Sequence, residues 1–109
     1  MRDPQERLRD ILDAIAGIER YAARGRNAFD QDELIQVWIV HHLQIIGEAA
    51  GQLGRDFHDA HPKVPWPQIV AMRNILVHEY FGVDLGEVWN AVERDLPAFK
   101  RAIEGLLEG

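Results

Sequence analysis

Apolar residues recur every three or four positions along almost all of this chain. No stretch alternates apolar and polar residues for long enough to predict a strand with its hairpin turn. A chain of 109 residues can bury roughly 60–70% of its unfolded surface, so it can form its own core. The pattern therefore predicts an all-α protein, an antiparallel bundle of four to five helices in which residues 1–109 form a single domain.

Capping residues and breakers predict where the helices begin and end. A first helix over 3–25 starts at Asp3, and a second over 30–54 starts at Asp30, with Glu33 placed to complete a capping box. Three prolines make 56–67 a crossing connection. A further helix is predicted over 67–80 and a last one over 84–107, with a kink or break just before Leu96 and Pro97.

The predicted second helix is apolar over more than one face. One stripe contains, among others, Ile35, Trp38 and Ile39, and Leu34 and Val37 lie beside it. A helix of this kind is either central in a bundle or buries a second face in a partner. We therefore expect a two-fold homodimer built on this helix.

The composition excludes several classes of function. The chain has 12 Lys and Arg against 18 Asp and Glu, a formal charge of −6, and no Cys. An acidic chain is a poor candidate for coating nucleic acid through bulk charge, although a local basic site remains open. The N-terminal residues lack the apolar segment of a signal peptide, and no apolar run approaches about 20 residues, so we expect a cytoplasmic protein with no membrane partner.

Four groups that can do chemistry lie close together in the helix predicted over 67–80. On a helical wheel with Arg73 at zero, Tyr80 falls near −20°, Asn74 near 100° and His78 near 140°. The apolar residues Ile69, Met72, Ile75 and Leu76 fall between about 200° and 320° on the same wheel. The polar strip is therefore expected to lie outside the core.

Such a strip has the groups needed to cleave RNA without a metal, although Arg, Asn, His and Tyr on one helix are more often plain surface residues. An imidazole, as in His78, can remove a proton from a ribose 2′-OH or give one to the leaving oxygen, and a guanidinium, as in Arg73, stabilises charge on the phosphate. Asn74 can orient the imidazole or bind the phosphate, and Tyr80 offers a ring for base stacking. Because one helix supplies a single His while cleavage benefits from an acid and a base, two copies are expected to face each other.

The remaining polar residues point to structural roles. His42 is expected to be a core or interface histidine, and Glu48, next to small residues, to pair with an Arg across the bundle. His58 and His61 are compatible with a metal, but an exposed loop is the favoured interpretation. No phosphate loop, serine-hydrolase order or zinc spacing is present, so we predict no cofactor and no metal.

The string Arg73-x4-His78-x-Tyr80 resembles the RX4HXY signature of the HepT-like toxins, a branch of the HEPN superfamily of small helical bundles. Further similarities follow in the same order along the chain, so the resemblance covers roughly residues 34–103. They are Ile45-Ile46-Gly47-Glu48-Ala49-Ala50, Trp66-x-x-Ile69-x-x-Met72, Tyr80-Phe81-x-x-Asp84, Trp89 and Asp95-Leu96-Pro97.

The resemblance implies the toxin half of a toxin–antitoxin pair, a metal-independent endoribonuclease acting as a homodimer. It assigns Arg73 and His78 to the catalytic pair, Asn74 to a supporting role, and Tyr80 to modification. The antitoxin of such pairs, an MntA-like minimal nucleotidyltransferase, is expected to silence the toxin by transferring AMP to Tyr80.

Two other classes of function stay open from the sequence. One is a non-catalytic HEPN module that binds a nucleotide or a nucleotidyltransferase and regulates it. The other is a structural helical dimerisation domain, which leaves the strip of Arg73, His78 and Tyr80 without a purpose.

Overall fold

A computed structural model describes residues 3–78 and 84–108 of the chain, and for residues 74–78 it describes the backbone alone. Within these ranges the chain is helical and contains no strand, so the all-α prediction is confirmed. The helices are α1 (Pro4–Ala22), α2 (Arg26–Gln31), α3 (Glu33–Gln52), α4 (Arg55–Ala60), α5 (Trp66–His78), α6 (Leu85–Asn90) and α7 (Leu96–Glu108). A π-helical segment, Ala91–Asp95, joins α6 to α7.

Aspartate caps begin three of these helices. The carboxylate of Asp3 accepts a hydrogen bond from the backbone N–H of Gln5 at 2.9 Å, and Asp84 accepts from Gly86 at 2.9 Å, as predicted for both positions. The prediction that Asp30 caps the second helix is wrong. Asp32 is the cap and accepts from the Leu34 N–H at 2.9 Å, because residues 26–31 form the separate helix α2.

Two other boundaries differ from the sequence prediction. Helix α1 ends at Ala22 rather than near Gly25, and Gly25, with a φ of 94°, instead begins α2. The segment predicted as a connection contains α4 and then turns over residues 61–65. The break before Pro97 is confirmed as the π-helical segment, since a proline ring clashes with the carbonyl four residues earlier and a wider turn relieves that clash.

Helix α3 is the centre of the bundle. It packs against α1 on one side and α5 on the other, and α7 packs against α1. Gln52 near the end of α3 bonds to Arg7 near the start of α1, while Trp38 bonds to Gly17, so these two helices run antiparallel. The largest fully buried side chains are Ile11, Ile15, Ile18, Phe29, Ile39, Leu43, Ile46, Ile69 and Ile103.

Part of α3 is exposed to solvent. Leu34 is 79% exposed, Val37 is 60% exposed and Trp38 is 37% exposed, whereas Trp66 and Trp89 are buried. Helix α3 is therefore central in the bundle and also presents an apolar face to solvent. None of the helices in the described ranges is long and apolar enough to cross a membrane.

Candidate active site

The backbones of α3 and α5 meet at Gly47. A Cβ atom at this position would lie 2.6 Å from the backbone N of Arg73, 2.9 Å from its Cβ and 3.2 Å from the carbonyl oxygen of Val70. No side chain fits in that space, so glycine allows the two helices to approach at this point. The contact places Arg73 directly against α3.

The guanidinium of Arg73 lies along α3 and pairs with Glu48. The distance from Nη1 of Arg73 to Oε2 of Glu48 is 3.3 Å, and the two side chains are 37% and 56% exposed. A Cβ atom on Gly51 would lie 2.6 Å from the same Nη1, so the guanidinium rests on the bare backbone there. The predicted pairing of Glu48 with an Arg across the bundle is confirmed.

A chain of hydrogen bonds continues from Glu48 to α1. Nε2 of Gln52 donates to Oε1 of Glu48 at 3.1 Å, and the guanidinium of Arg7 donates to Oε1 of Gln52. Arg7, Gln52 and Gly51 were not predicted from the sequence as members of this site. The spacing of four residues from Glu48 to Gln52 and from Gly47 to Gly51 is the signal that could have identified two of them, because residues four apart share one helix face.

Arg73 opens onto a cavity of about 840 Å³ formed by α1, α3 and α5. Its charged lining residues are Arg7, Asp10, Asp13, Glu48 and Arg73, and His41 and His42 also line it. The cavity therefore mixes both signs of charge. A phosphate entering it would meet the carboxylates as well as the guanidinium groups, so the position of each cation decides where the phosphate can bind.

A second cavity, of about 740 Å³, is also lined by Arg73. Its lining further includes Gly51, His58 and Trp66. Arg73 is thus accessible from both cavities while its guanidinium stays against α3.

The other predicted site residues are placed only in part. Asn74 and His78 belong to α5, and His78 comes five residues after Arg73, about 7.5 Å along the helix axis. Their side chains, and the whole of Tyr80, lie outside the described residues. Ile69 and Met72 are buried, as the predicted apolar arc requires, but Arg73 is half-buried against α3 rather than free on the solvent side.

The other histidines have packing partners. The ring of His42 packs beside Trp38 at 4.2 Å, and its Nδ1 lies 2.7 Å from the Trp38 carbonyl oxygen, but the residue is only partly buried and does not belong to the core of this chain. The prediction that His58 lies in an exposed loop is wrong. His58 belongs to α4, stacks on Trp66 at 4.6 Å and lies 2.7 Å from the Ala50 carbonyl oxygen.

Metal-ligating side chains do not converge in the part of the protein that the structure describes. Among the side chains that the structure describes, in residues 3–73 and 84–108, no group of three or more His, Cys, Asp or Glu residues could hold a metal ion. The described side chains around Arg73 are instead hydrogen-bond donors and acceptors, and they belong to Glu48, Gln52 and Arg7.

The helical bundle and the placement of Arg73 on an open cavity fit the class of small helical domains that the sequence motif indicated. The model of the family described as "Ribonuclease HepT-like" matches residues 11–106, so the chain belongs to this family. No solved structure matches the chain significantly.

Named relatives cover almost the whole chain. A Thermococcus cleftensis protein named "Probable ribonuclease HepT" is 37% identical over 96% of this chain and 96% of its own length. The "Putative RNase MJ1380" of Methanocaldococcus jannaschii is 36% identical over 94% of this chain and 95% of its own length. The "Putative RNase TTE0752" of Caldanaerobacter subterraneus is 34% identical over 99% of this chain and 97% of its own length.

Proposed function

We propose that this protein is the toxin of a toxin–antitoxin pair and that it cleaves cellular RNA without a metal. The observation that carries the proposal is the position of Arg73, held at an open cavity on the helix that also contains His78. Family membership supports the same chemistry.

The reaction assigned to this site is an in-line transesterification. The 2′-oxygen attacks the neighbouring phosphorus while the bond from phosphorus to the 5′-oxygen breaks. One His78 takes the proton from the 2′-OH, and His78 of the partner subunit donates a proton to the 5′-oxygen. Arg73 stabilises the charge on the phosphate oxygens, Asn74 supports the imidazole, and the products end in a 2′,3′-cyclic phosphate and a 5′-OH.

A homodimer supplies the second His78 in this scheme. Leu34, Val37 and Trp38 form an exposed apolar face on α3, the helix that also carries Glu48 at the cavity. Burying that face in a second copy removes apolar surface from water and offers a route for bringing two cavities together. In the cell, the proposed antitoxin is an MntA-like nucleotidyltransferase that transfers AMP to Tyr80.

The proposal is tested by measuring cleavage of a mixed-sequence single-stranded RNA in the presence of EDTA. We expect the wild-type protein to cleave, H78A to be inactive, and R73A to lose on the order of 10²-fold or more in rate. R101A is the matched control, since Arg101 lies on the exposed surface of α7 and the change removes the same charge. Undiminished cleavage by H78A, or complete dependence on added Mg²⁺, contradicts the mechanism.

The same assay, combined with a measurement of binding to a nucleotidyltransferase, addresses the non-catalytic alternative. A wild-type protein that cleaves no RNA yet binds a nucleotidyltransferase would favour a regulatory HEPN module over a nuclease.

A further inference from the structure

The guanidinium of Arg73 is held by α3 instead of extending freely from α5. Its Nη1 lies 3.3 Å from Oε2 of Glu48, and it passes over Gly51, where a Cβ would lie 2.6 Å from Nη1 and 3.3 Å from Cζ. One charged partner and one missing side chain therefore define where this cation lies.

Glu48 is itself oriented by its neighbours. Gln52 donates to Oε1 at 3.1 Å while Arg73 bonds to Oε2, so each carboxylate oxygen has its own partner. Arg7 holds the amide oxygen of Gln52 from α1. The orientation of the Arg73 guanidinium thus depends on three helices.

This arrangement contributes little to the stability of the fold. Both Arg73 and Glu48 are more than a third exposed, and exposed ion pairs add little free energy because water screens them. Glu48 also weakens the positive potential that attracts RNA phosphates to the cavity. Glu48 therefore adds little stability and opposes phosphate binding. Its position beside Arg73 is explained if it sets the orientation of the guanidinium.

We propose that Glu48 and Gly51 are positioning residues for Arg73, with Glu48 orienting the guanidinium and Gly51 leaving the space that it occupies. This inference rests on the proposed function of Arg73 in RNA cleavage. A guanidinium has five N–H donors, so the bond from Nη1 to Glu48 is compatible with a two-point grip on a phosphate by other donors.

The first test compares E48Q and E48A with the wild type. We expect kcat to fall on the order of 10-fold to 10²-fold in E48A, since a displacement of about 1 Å can cost about 10²-fold, and to fall less in E48Q, which keeps an acceptor oxygen. Binding of a mixed-sequence RNA, measured in the H78A background, should become tighter because a carboxylate has been removed. E33Q, on the exposed first turn of the same helix, is the control for the change in charge.

The second test uses G51A. An alanine Cβ forces the guanidinium away from its position, but the clash is with the end of a flexible side chain, so the protein should fold and cleave at least 10-fold more slowly. G105A is the matched control, because Gly105 lies in α7 and a Cβ atom added there would have nothing within 4 Å. Slow cleavage with unchanged thermal unfolding distinguishes positioning from a structural role.

A readout independent of activity separates this inference from the proposed function. In ¹⁵N relaxation, the Nε–H group of Arg73 should be ordered in the wild type and mobile in E48A and G51A. Cleavage by the wild type together with full activity and an unchanged Arg73 signal in both variants overturns the inference and leaves the proposed function standing. In the opposite case, the wild-type protein cleaves no RNA but the Arg73 Nε–H group still becomes mobile in both variants. That result supports the positioning role of Glu48 and Gly51 and contradicts the proposed function.

Discussion

Arg73 has two roles in this protein that involve different parts of the same residue. Its backbone packs against Gly47 in the contact between α3 and α5, and its guanidinium lines both cavities. The helical wheel separated a polar arc from an apolar arc, but a residue at the boundary between them can contribute to both. Arg73 lies at that boundary, which explains why its cation is half-buried and held in place.

Our prediction on regulation concerns Tyr80. Incubating the protein with the nucleotidyltransferase antitoxin, ATP and Mg²⁺ should add AMP to Tyr80 and abolish RNA cleavage, since the added nucleotide brings a phosphodiester charge close to Arg73 and His78. Y80F keeps the ring but lacks the acceptor oxygen, so it should stay unmodified. Intact-mass and fragment mass spectrometry measure both results.

The control for this prediction is the other tyrosine of the chain. Y21F should be modified as fully as the wild type, because Tyr21 packs against Trp38 in a ring contact at 5.4 Å and lies on α1. AMP found on Tyr21, or full modification of Y80F, contradicts the assignment.

Among the helices, α3 organises the molecule because it contacts α1 and α5 through different faces. Small residues make the second contact possible: Gly47 lies against the α5 backbone, and Ala50 is fully buried nearby. In the contact between α3 and α1, α3 instead contributes a large side chain: the indole N–H of Trp38 donates to the Gly17 carbonyl oxygen at 2.9 Å. The site thus forms where the backbone of α5 packs against Gly47 of α3.

This contact predicts a large effect of G47A on stability. The new Cβ would meet backbone atoms of Arg73 and Val70, which cannot move without separating the two helices. We expect the free energy of unfolding to fall by about 1–3 kcal/mol, the usual cost of overpacking. Urea unfolding measures it, with G105A as the control; a G47A protein as stable as the wild type contradicts the close approach of α3 and α5.

For the assembled molecule, the exposed apolar face on α3 predicts dimerisation. The wild-type protein should sediment at twice the mass of its 12.5 kDa chain. The double variant with L34E and V37E should sediment as a folded monomer, since both residues are more than half exposed within one chain, and it should lose RNA cleavage. A98E, on an exposed position of α7, should remain dimeric and active.

The outcome for the double variant bears directly on the composite site. A monomeric wild-type protein, or a monomeric double variant that cleaves RNA at the wild-type rate, would mean that one chain contains the complete site.

Local signals in the sequence are enough to predict most of the helices. Periodic apolar residues predict the all-α fold, and Asp3, Asp84 and Pro97 mark boundaries that the structure confirms, because capping and the missing proline N–H act within a few residues. Asp30 and Asp32 show where such signals become ambiguous. Both can cap a helix, and the choice depends on whether residues 26–31 form a helix of their own.

The motif from Arg73 to Tyr80 and the residues of α3 around Glu48 were both visible in the sequence, and a pairing of Glu48 with an Arg was predicted, but the sequence did not show that this Arg is Arg73. Glu48 and Arg73 are 25 positions apart, and neither residue has a local pattern that names its partner. Only the packing of α5 on Gly47 brings them together, and only the absence of a side chain at Gly51 leaves room for the guanidinium. Local sequence thus specifies the helices and the chemical groups that they carry. The packing of the bundle determines that Glu48 is the carboxylate that holds the Arg73 guanidinium, because this pairing depends on how closely two helices that are distant in sequence can approach.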